Sequence, residues 1–370
     1  MVDKEASTVR LIHYTLHEYL RLPDILPAAH QTLARTCLAY LNYDHIKGLP
    51  ADKVPDLRGI PLPQYSSLFW GIHAKVDLSD SVKSLALELL SQYDTHISAA
   101  LFFNRARYYD RHFVTTPLFT GLHCASYFGI VEILEALIEM EGCGINPQDS
   151  GVFTPLTWAA RQGNESVTRL LLAKGDINPD TCDNQGQTPF WWASSCGNEG
   201  VVRLLLARDD VDPEKPNKWD ETPFWWASSK GHDGVVRLLL KRGNVNLDRP
   251  ADGGQTPLSG DSSRGREGVV RLLLVRDDVN PDEPDDDGNT PLSWASRFGH
   301  ERVVRLLLAR SDVVPDRPNK CGQTPLWWAS RKGYEGVVRL LLAKNDVNPD
   351  KPTQVVKHLS RGLPTRGVRG

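Results

Sequence analysis

The sequence lacks several features that would point to an enzyme, a membrane protein or a nucleic-acid-binding protein. It contains no GK dipeptide, which excludes a GxxxxGK[ST] phosphate loop, and no GxSxG motif that would hold a serine nucleophile. No apolar run reaches the ~18 residues that a membrane helix needs. The net charge of −3 leaves no basic excess. We therefore expect a chain that is not an enzyme and has neither nucleic acid nor a membrane as a partner.

Metal and disulfide motifs are also missing. The six cysteines are scattered without a CxxC pair, which favours reduced thiols over a disulfide framework or a zinc site. His13 and His17 have i,i+4 spacing, but Tyr14 stands where HExxH has its glutamate. The N-terminus carries early acids and no uninterrupted apolar segment, unlike a signal peptide. We expect a cytoplasmic protein, with the nucleus as the alternative, that binds no metal or cofactor.

What the sequence does contain is a motif that recurs every 34 residues. Its copies begin at Thr120, Thr154, Thr188, Thr222, Thr256, Thr290 and Thr324. Threonine is a natural N-cap and proline suits the first helical position, while a glycine further on predicts the helix end. A second helix with a run such as VVRLLLA at 201–207 follows, and a polar stretch with two prolines closes the unit. Because so short a helix pair cannot bury its own apolar face, the units must stack.

The T-P-L-x-x-A opening, the mid-unit glycine and the V-V-x-L-L-L run resemble the ankyrin repeat. The resemblance implies an all-α fold, a solenoid of seven helix-turn-helix units over about 112–353, which would bind a protein through its concave face and loop tips. The period is one residue longer than the usual 33, and we place the extra residue in the connecting loop. His123 occupies the histidine position of the ankyrin motif, which implies a hydrogen bond between repeats.

Residues 1–111 lack the repeat. The sequence predicts helices over about 28–43, 79–93 and 97–109, with a loop over 49–64 and a T-x-x-E capping box at Thr15. The phrases VRLIHYTLHEYL, ARTCLAYLNYD and YSSLFWGIHAK resemble fungal intracellular receptors of the NACHT type, whose winged helix is similar to that of GPI inositol-deacylase. That resemblance implies a truncated winged-helix remnant at 1–24 and a helical linker domain at 25–111.

The C-terminal end departs from the repeat. His358 stands where an eighth threonine would begin the motif, and the last repeat reads as an interior unit. We expect 354–370 to be a disordered tail, and self-association through the uncapped C-terminal repeat.

The leading functional hypothesis is a non-enzymatic protein–protein interaction module. By resemblance, it would be the sensor arm of a NACHT-type receptor that lacks its NTPase. Two alternatives stay open, a truncated structural or decoy fragment without a dedicated ligand, and a regulatory arm acting in trans with a separate NTPase. The repeat region holds 27 basic and 34 acidic residues, a net charge of −7, which favours a basic protein partner.

Tryptophans are the candidate partner-binding residues. Motif copies with paired tryptophans occur at 188–195, 222–229 and 324–331. The second tryptophan of each pair recurs in repeats with one tryptophan, which predicts packing between repeats. The first falls in a slot that elsewhere holds threonine, serine or histidine, which predicts a position outside the deep core, toward the concave face. These candidates are Trp191, Trp225 and Trp327, and packing and partner contact are both open for them. Trp219, alone in a loop tip, is the strongest contact candidate.

Two further patterns predict local energetics. Gly260 and Asp261 replace the tryptophan–alanine pair of the other repeats, so a charge falls at a buried position and we predict a weak joint at 256–270. An acid at 165 and its equivalents precedes an arginine by four residues, which predicts helical ion pairs on a solvated face.

Overall fold

The computed structural model describes residues 27–47, 49, 61–106, 118–140, 144–243 and 245–349. These residues form helices joined by turns and loops, and no strand occurs among them. The fold class predicted from the sequence, an all-α array of helix-turn-helix repeats after a helical region, is confirmed. The winged-helix remnant predicted at 1–24, the capping box at Thr15 and the tail predicted at 354–370 lie outside the described residues.

Five α-helices precede the repeats in the described part of the chain. They are α1 (Pro27–Leu41), α2 (Asp44–Lys47), α3 (Pro61–Val76), α4 (Asp80–Leu90) and α5 (Ile97–Ala106), with a 3-10 turn at Tyr93–Thr95. Helices α1, α4 and α5 confirm three predicted segments with shifted ends. The loop predicted over 49–64 is wrong at its end, because α3 begins at Pro61. Prolines are tolerated in the first turn of a helix, where the N–H group has no helical acceptor.

The repeats follow as pairs of short helices. The first helices are α6 (Gly121–Phe128), α8 (Pro155–Gln162), α10 (Pro189–Cys196), α12 (Pro223–Lys230), α14 (Pro257–Arg264), α16 (Pro291–Phe298) and α18 (Pro325–Lys332). The second helices are α7 (Val131–Glu139), α9 (Glu165–Leu172), α11 (Glu199–Leu206), α13 (Asp233–Arg242), α15 (Glu267–Leu274), α17 (Glu301–Leu308) and α19 (Glu335–Leu342).

The threonine and glycine of each motif set the ends of the first helices. The Thr290 hydroxyl accepts a hydrogen bond from the N–H of Ser293, as an N-cap does. Helix α16 ends at Gly299, whose φ of 76° lies in the left-handed region that glycine adopts without strain. The sequence motif therefore fixes the length of each first helix.

The chain divides into two compact units, Met1–Ala193 with Leu204–Val211, and Ser194–Arg203 with Asp212–Gly370. In the first unit, the helical region and the first repeats share one hydrophobic core. Trp70 of α3 meets Phe128 of α6 with ring centres 5.3 Å apart, and Phe119 meets Trp158 at 5.6 Å. The helices before the repeats thus cover the apolar face of the first repeat.

Gly121 explains why the first repeat lacks the proline of the motif. It is buried against the backbone of α4, where an added Cβ would lie 2.8 Å from Leu90 Cβ and closer still to the Leu90 carbonyl oxygen. Any larger residue would push α4 away. The missing side chain at Gly121 therefore allows the helical region to dock on the first repeat.

Polar bonds join successive repeats within each unit. In the second unit, the His232 Nε2 atom lies 3.1 Å from the Ser195 carbonyl oxygen, and His300 Nε2 lies 3.0 Å from that of Ser263. Asn164 donates in the same way to the end of α6 in the first unit. Each bond satisfies a carbonyl group that a helix end leaves without an intrahelical partner.

Three of the six predicted acid–arginine pairs form on second helices within the described residues, with side chains that are partly to largely exposed. Such exposed pairs contribute about 0.3–0.5 kcal/mol each. Three are present at i,i+4 spacing: Glu199 with Arg203 at 3.3 Å, Glu267 with Arg271 at 2.8 Å, and Glu335 with Arg339 at 3.0 Å.

The fifth repeat keeps its helix despite Gly260 and Asp261. Asp261 is fully buried, and the Ser228 hydroxyl donates a hydrogen bond to its Oδ2 atom. The Oδ1 atom has no hydrogen-bond partner within the described part of the chain. Burial raises the pKa of Asp261 to about 7, so protonation relieves part of the cost of burying the carboxylate. The weak joint at 256–270 stays a prediction.

Candidate functional site

A buried aspartate or asparagine holds the loop in a fixed turn before five of the repeat motifs, and the fifth repeat has Ala251 at this position. In the loop of Trp219, Asn217 Oδ1 accepts hydrogen bonds from the N–H groups of Trp219 and Glu221, both at 3.0 Å. Asp285 Oδ1 accepts in the same pattern from Asp287 and Asn289. These bonds place Trp219 and Asp287, which follow Asn217 and Asp285 by two positions, at the tips of their loops.

Backbone hydrogen bonds connect consecutive loops of the second unit. The Asp252 N–H donates to the Trp219 carbonyl at 3.3 Å, and the Asp286 N–H donates to that of Gly253 at 3.0 Å. A third bond joins Lys320 N–H to the Asp287 carbonyl at 2.9 Å. We call residues 217–221, 251–255, 285–289 and 319–323 the loop row. Its backbone is ordered before any partner binds.

Trp219 is an exposed aromatic residue of the loop row. Its side chain is 44% exposed. The next residue, Asp220, has a φ of 55°, in the left-handed region that aspartate tolerates better than most residues. Its carboxylate lies 3.6 Å from the Arg249 guanidinium. Asp220 and Arg249 line one side of a shallow groove of about 410 Å³. The exposed Trp219 thus directly precedes a residue that lines a groove with several charged side chains.

The groove runs between neighbouring loops of the row. Its other lining residues are Pro250, Ala251, Asp252, Gly253, Gly254 and Asp286. The sequence pattern singled out Trp219 and missed the residues that line the groove next to it in the chain. The period contained the signal, because residues 34 apart occupy equivalent positions, and Asp252 and Asp286 are such a pair in neighbouring loops.

The first tryptophan is buried in two of the three pairs, contrary to the prediction. Trp191 is 3% exposed and Trp225 is 6% exposed, while Trp327 is half-buried. Ser293 occupies the same slot, buried beside Thr290 with the two hydroxyl oxygens 3.2 Å apart. Small polar residues are tolerated there because the cap threonine satisfies them, so a slot that accepts serine can still be deep core.

Trp192 and Trp226 are more exposed than the first tryptophans of their pairs, whereas Trp327 and Trp328 are both half-buried. The indole N–H of this second position bonds to the loop in several repeats, but that of Trp328 is buried without a hydrogen-bond partner in the described structure. Trp192 Nε1 donates to Asp183 Oδ2 at 2.9 Å, and Trp294 Nε1 donates to Asp285 Oδ2 at 2.8 Å. The fifth repeat lacks both partners, with Ala251 and Gly260 at the two positions. The loop acid and the second tryptophan thus form one unit that orients the loop on the first helix.

Arginine side chains stack on the tryptophans at this second motif position. The Arg297 guanidinium lies 5.0 Å from the ring centre of Trp294 and 4.3 Å from that of Trp328 in the following repeat. Arg161 lies 4.7 Å from the Trp192 ring in the first unit. A cation between rings of successive repeats agrees with the packing role predicted for these tryptophans.

His123 makes the inter-repeat bonds that its position in the motif implied. Its Nε2 atom lies 3.1 Å from the carbonyl oxygens of both Pro147 and Phe153, which belong to the following loop. Its Nδ1 atom accepts from the Thr120 N–H. Burial lowers the pKa of His123 to about 4, so the ring is neutral at physiological pH. It is a structural residue of the first unit.

Neither a metal centre nor a membrane span emerges from the described residues. Across 27–47, 49, 61–106, 118–140, 144–243 and 245–349, no three histidine, cysteine, aspartate or glutamate residues converge as metal ligands would. Within the same residues, every helix is too short or too polar to cross a bilayer.

Family models match most of the repeat region. A model described as ankyrin repeats, in three copies, matches residues 122–215 and 262–352, half of the chain, and an ankyrin-repeat model matches 219–250. No curated protein matches the chain.

Two solved structures are similar in fold. The human ASB11 ankyrin repeat domain is 26% identical and covers 62% of this chain and 98% of its own, with a TM-score of 0.53. The ankyrin repeat domain of Bcl-3, described as a unique member of the IkappaB protein family, is 27% identical. That match covers 60% of this chain and 97% of the other, with a TM-score of 0.52.

Proposed function

Because the chain belongs to the ankyrin-repeat family, we propose that it is a non-enzymatic module that binds a protein partner through the loop row of its second unit. The exposed indole of Trp219 carries this proposal. Tryptophan is enriched among residues that dominate binding energy. The loop row is also held by its own backbone bonds, so binding requires little ordering of the loops.

Trp327 is a second contact candidate, because it is half-buried where Trp191 and Trp225 are buried. We assign Trp191 and Trp225 to packing. The Trp225 Nε1 group supports this assignment, since it donates to the Gln255 carbonyl at 3.2 Å and so fastens α12 to the next loop.

The test of the proposed function is partner capture by the full chain and by two variants. We expect Trp219→Ala to remove a defined set of proteins from those that the wild type captures. Phe298→Ala is the matched control, because Phe298 is 47% exposed but lies at the end of α16, outside the loop row. Quantitative mass spectrometry gives the readout, and circular dichroism checks the fold. An identical captured set for all three chains would refute a role for Trp219.

We further propose, from the resemblance of 1–24 and 25–111, that the array is the sensor arm of a NACHT-type receptor. The shared core of α3, α6 and α8 supports it, since the helical region would transmit contact between array and motor within the first unit. Saturable binding of ATP by the purified chain would contradict the proposal that this array is a non-enzymatic module. A fragment without a ligand, the competing idea, predicts no partner that depends on Trp219.

A further inference from the structure

The ring of Trp219 differs from the other tryptophan rings of the repeats in what covers it. Seven of them have an arginine or lysine of the same chain 4.3–5.5 Å from the ring centre: Trp158, Trp192, Trp225, Trp226, Trp294, Trp327 and Trp328. Among the described residues, no cation lies over Trp219. A cation of the same chain thus covers the ring at these seven tryptophans, whereas no cation among the described residues covers the ring of the exposed Trp219.

The charges around Trp219 suit a cation. The groove beside it is lined by three carboxylates, those of Asp220, Asp252 and Asp286, and by one cation, Arg249. Arg249 is paired with Asp220. Within the described part of the chain, Asp252 and Asp286 have no ion-pair partner. The groove therefore has carboxylates available to a positive ligand.

The groove also has room for an extended chain. Gly253 forms part of its wall, and an added Cβ there would meet no atom within 4 Å. Gly254 has the opposite surroundings, since an added Cβ would lie 2.8 Å from the Asp286 backbone nitrogen. The two glycines thus leave the groove open on one side and bring Asp286 close on the other.

We propose that this groove binds an arginine-bearing extended segment of the partner protein, with one guanidinium over the Trp219 ring and others facing Asp252 and Asp286. Arginine fits better than lysine because its planar guanidinium stacks on an aromatic face and also forms forked hydrogen bonds to carboxylates. The inference rests on the proposed function and specifies the chemistry of the partner.

The test uses a fluorescein-labelled peptide of four Gly-Arg repeats and fluorescence anisotropy with the full chain. We expect saturable binding that weakens as NaCl rises, since exposed charges are screened. Trp219→Ala is expected to weaken binding about tenfold. Asp252→Asn and Asp286→Asn should each weaken it severalfold, while Phe298→Ala leaves it unchanged.

A second peptide separates charge from shape. Citrulline in place of arginine keeps the planar side chain and removes the charge, so we expect its binding to be lost. Equal binding of both peptides, or equal binding of the arginine peptide to wild type and Trp219→Ala, would overturn the inference. If capture of a partner depends on Trp219 but is insensitive to NaCl, the proposed function stands and the basic-segment inference falls.

Discussion

Replacing Asp261 with alanine is expected to stabilise the protein, and by more at pH 8 than at pH 5. The equivalent residues Ala227, Ala295 and Ala329 are fully buried, so alanine fits this position. The variant removes a buried carboxyl whose Oδ1 atom has no hydrogen-bond partner in the described structure. Equilibrium unfolding in urea at both pH values measures the effect.

The direction of the pH dependence follows from the raised pKa of Asp261. Its folded pKa is about 7 against an ordinary value of 3.8, so the folded state holds the proton more tightly. The stabilisation that comes from this tighter proton binding is complete below about pH 4. It declines as the pH rises to 7 and is lost above that. The advantage of the alanine variant over wild type should grow by about 2–3 kcal/mol from pH 5 to pH 8.

The groups that face Asp261 do not reverse this direction. Ser228 donates a hydrogen bond and the charges of Arg264 and Arg266 lower its pKa, but desolvation is larger and Asp233 acts in the opposite sense to the arginines. Asp261→Asn is the matched control, because it keeps the size of the side chain and cannot ionise. If wild type and both variants changed stability in parallel between pH 5 and pH 8, Asp261 would not titrate as described.

Restoring the motif at Gly121 is expected to damage the protein. Gly121→Ala would ordinarily favour a helix by about 1 kcal/mol. Here we expect a loss of about 3 kcal/mol, because the new methyl group would overlap the Leu90 backbone of α4. Gly121→Pro, which matches the residue in the other six repeats, should be at least as harmful. Urea unfolding and near-ultraviolet circular dichroism report the loss of stability and of aromatic packing.

Pro291→Ala is the control for this experiment, because it changes the equivalent position in a repeat that follows another repeat. We expect it to cost no more than about 1 kcal/mol, since proline mainly reduces the entropy of the unfolded chain at such a site. A Gly121→Ala protein as stable as wild type would show that α4 does not pack on the first repeat as described.

Features that depend on one repeat alone could be predicted from the sequence. The cap at Thr290, the end at Gly299 and the pair of Glu267 with Arg271 follow from local spacing and local hydrogen bonding. His123 was also predictable, because its position in the motif implied its inter-repeat bonds. The cap and the helix end recur along the chain because the groups that form them lie within one short helix.

Features that depend on contacts between distant segments could not be predicted. The motif position of Trp191 and Trp225 was predicted to lie outside the core because it also accepts serine. The sequence does not show that the cap threonine bonds to Ser293 at this position and so allows it to be buried. The reason for glycine at position 121 is its contact with Leu90, which is distant in sequence. Burial and docking depend on tertiary packing, which local patterns leave undetermined.

The central claim is that the loop row is the face that contacts the partner. Hydrogen exchange of the full chain with and without its captured partner tests this claim most directly. We predict that the partner slows exchange at 217–221, 251–255 and 285–289 in the loop row. Exchange in the second helices α13, α15 and α17 should stay unchanged. Protection confined to those helices, with an unaffected loop row, would contradict the account.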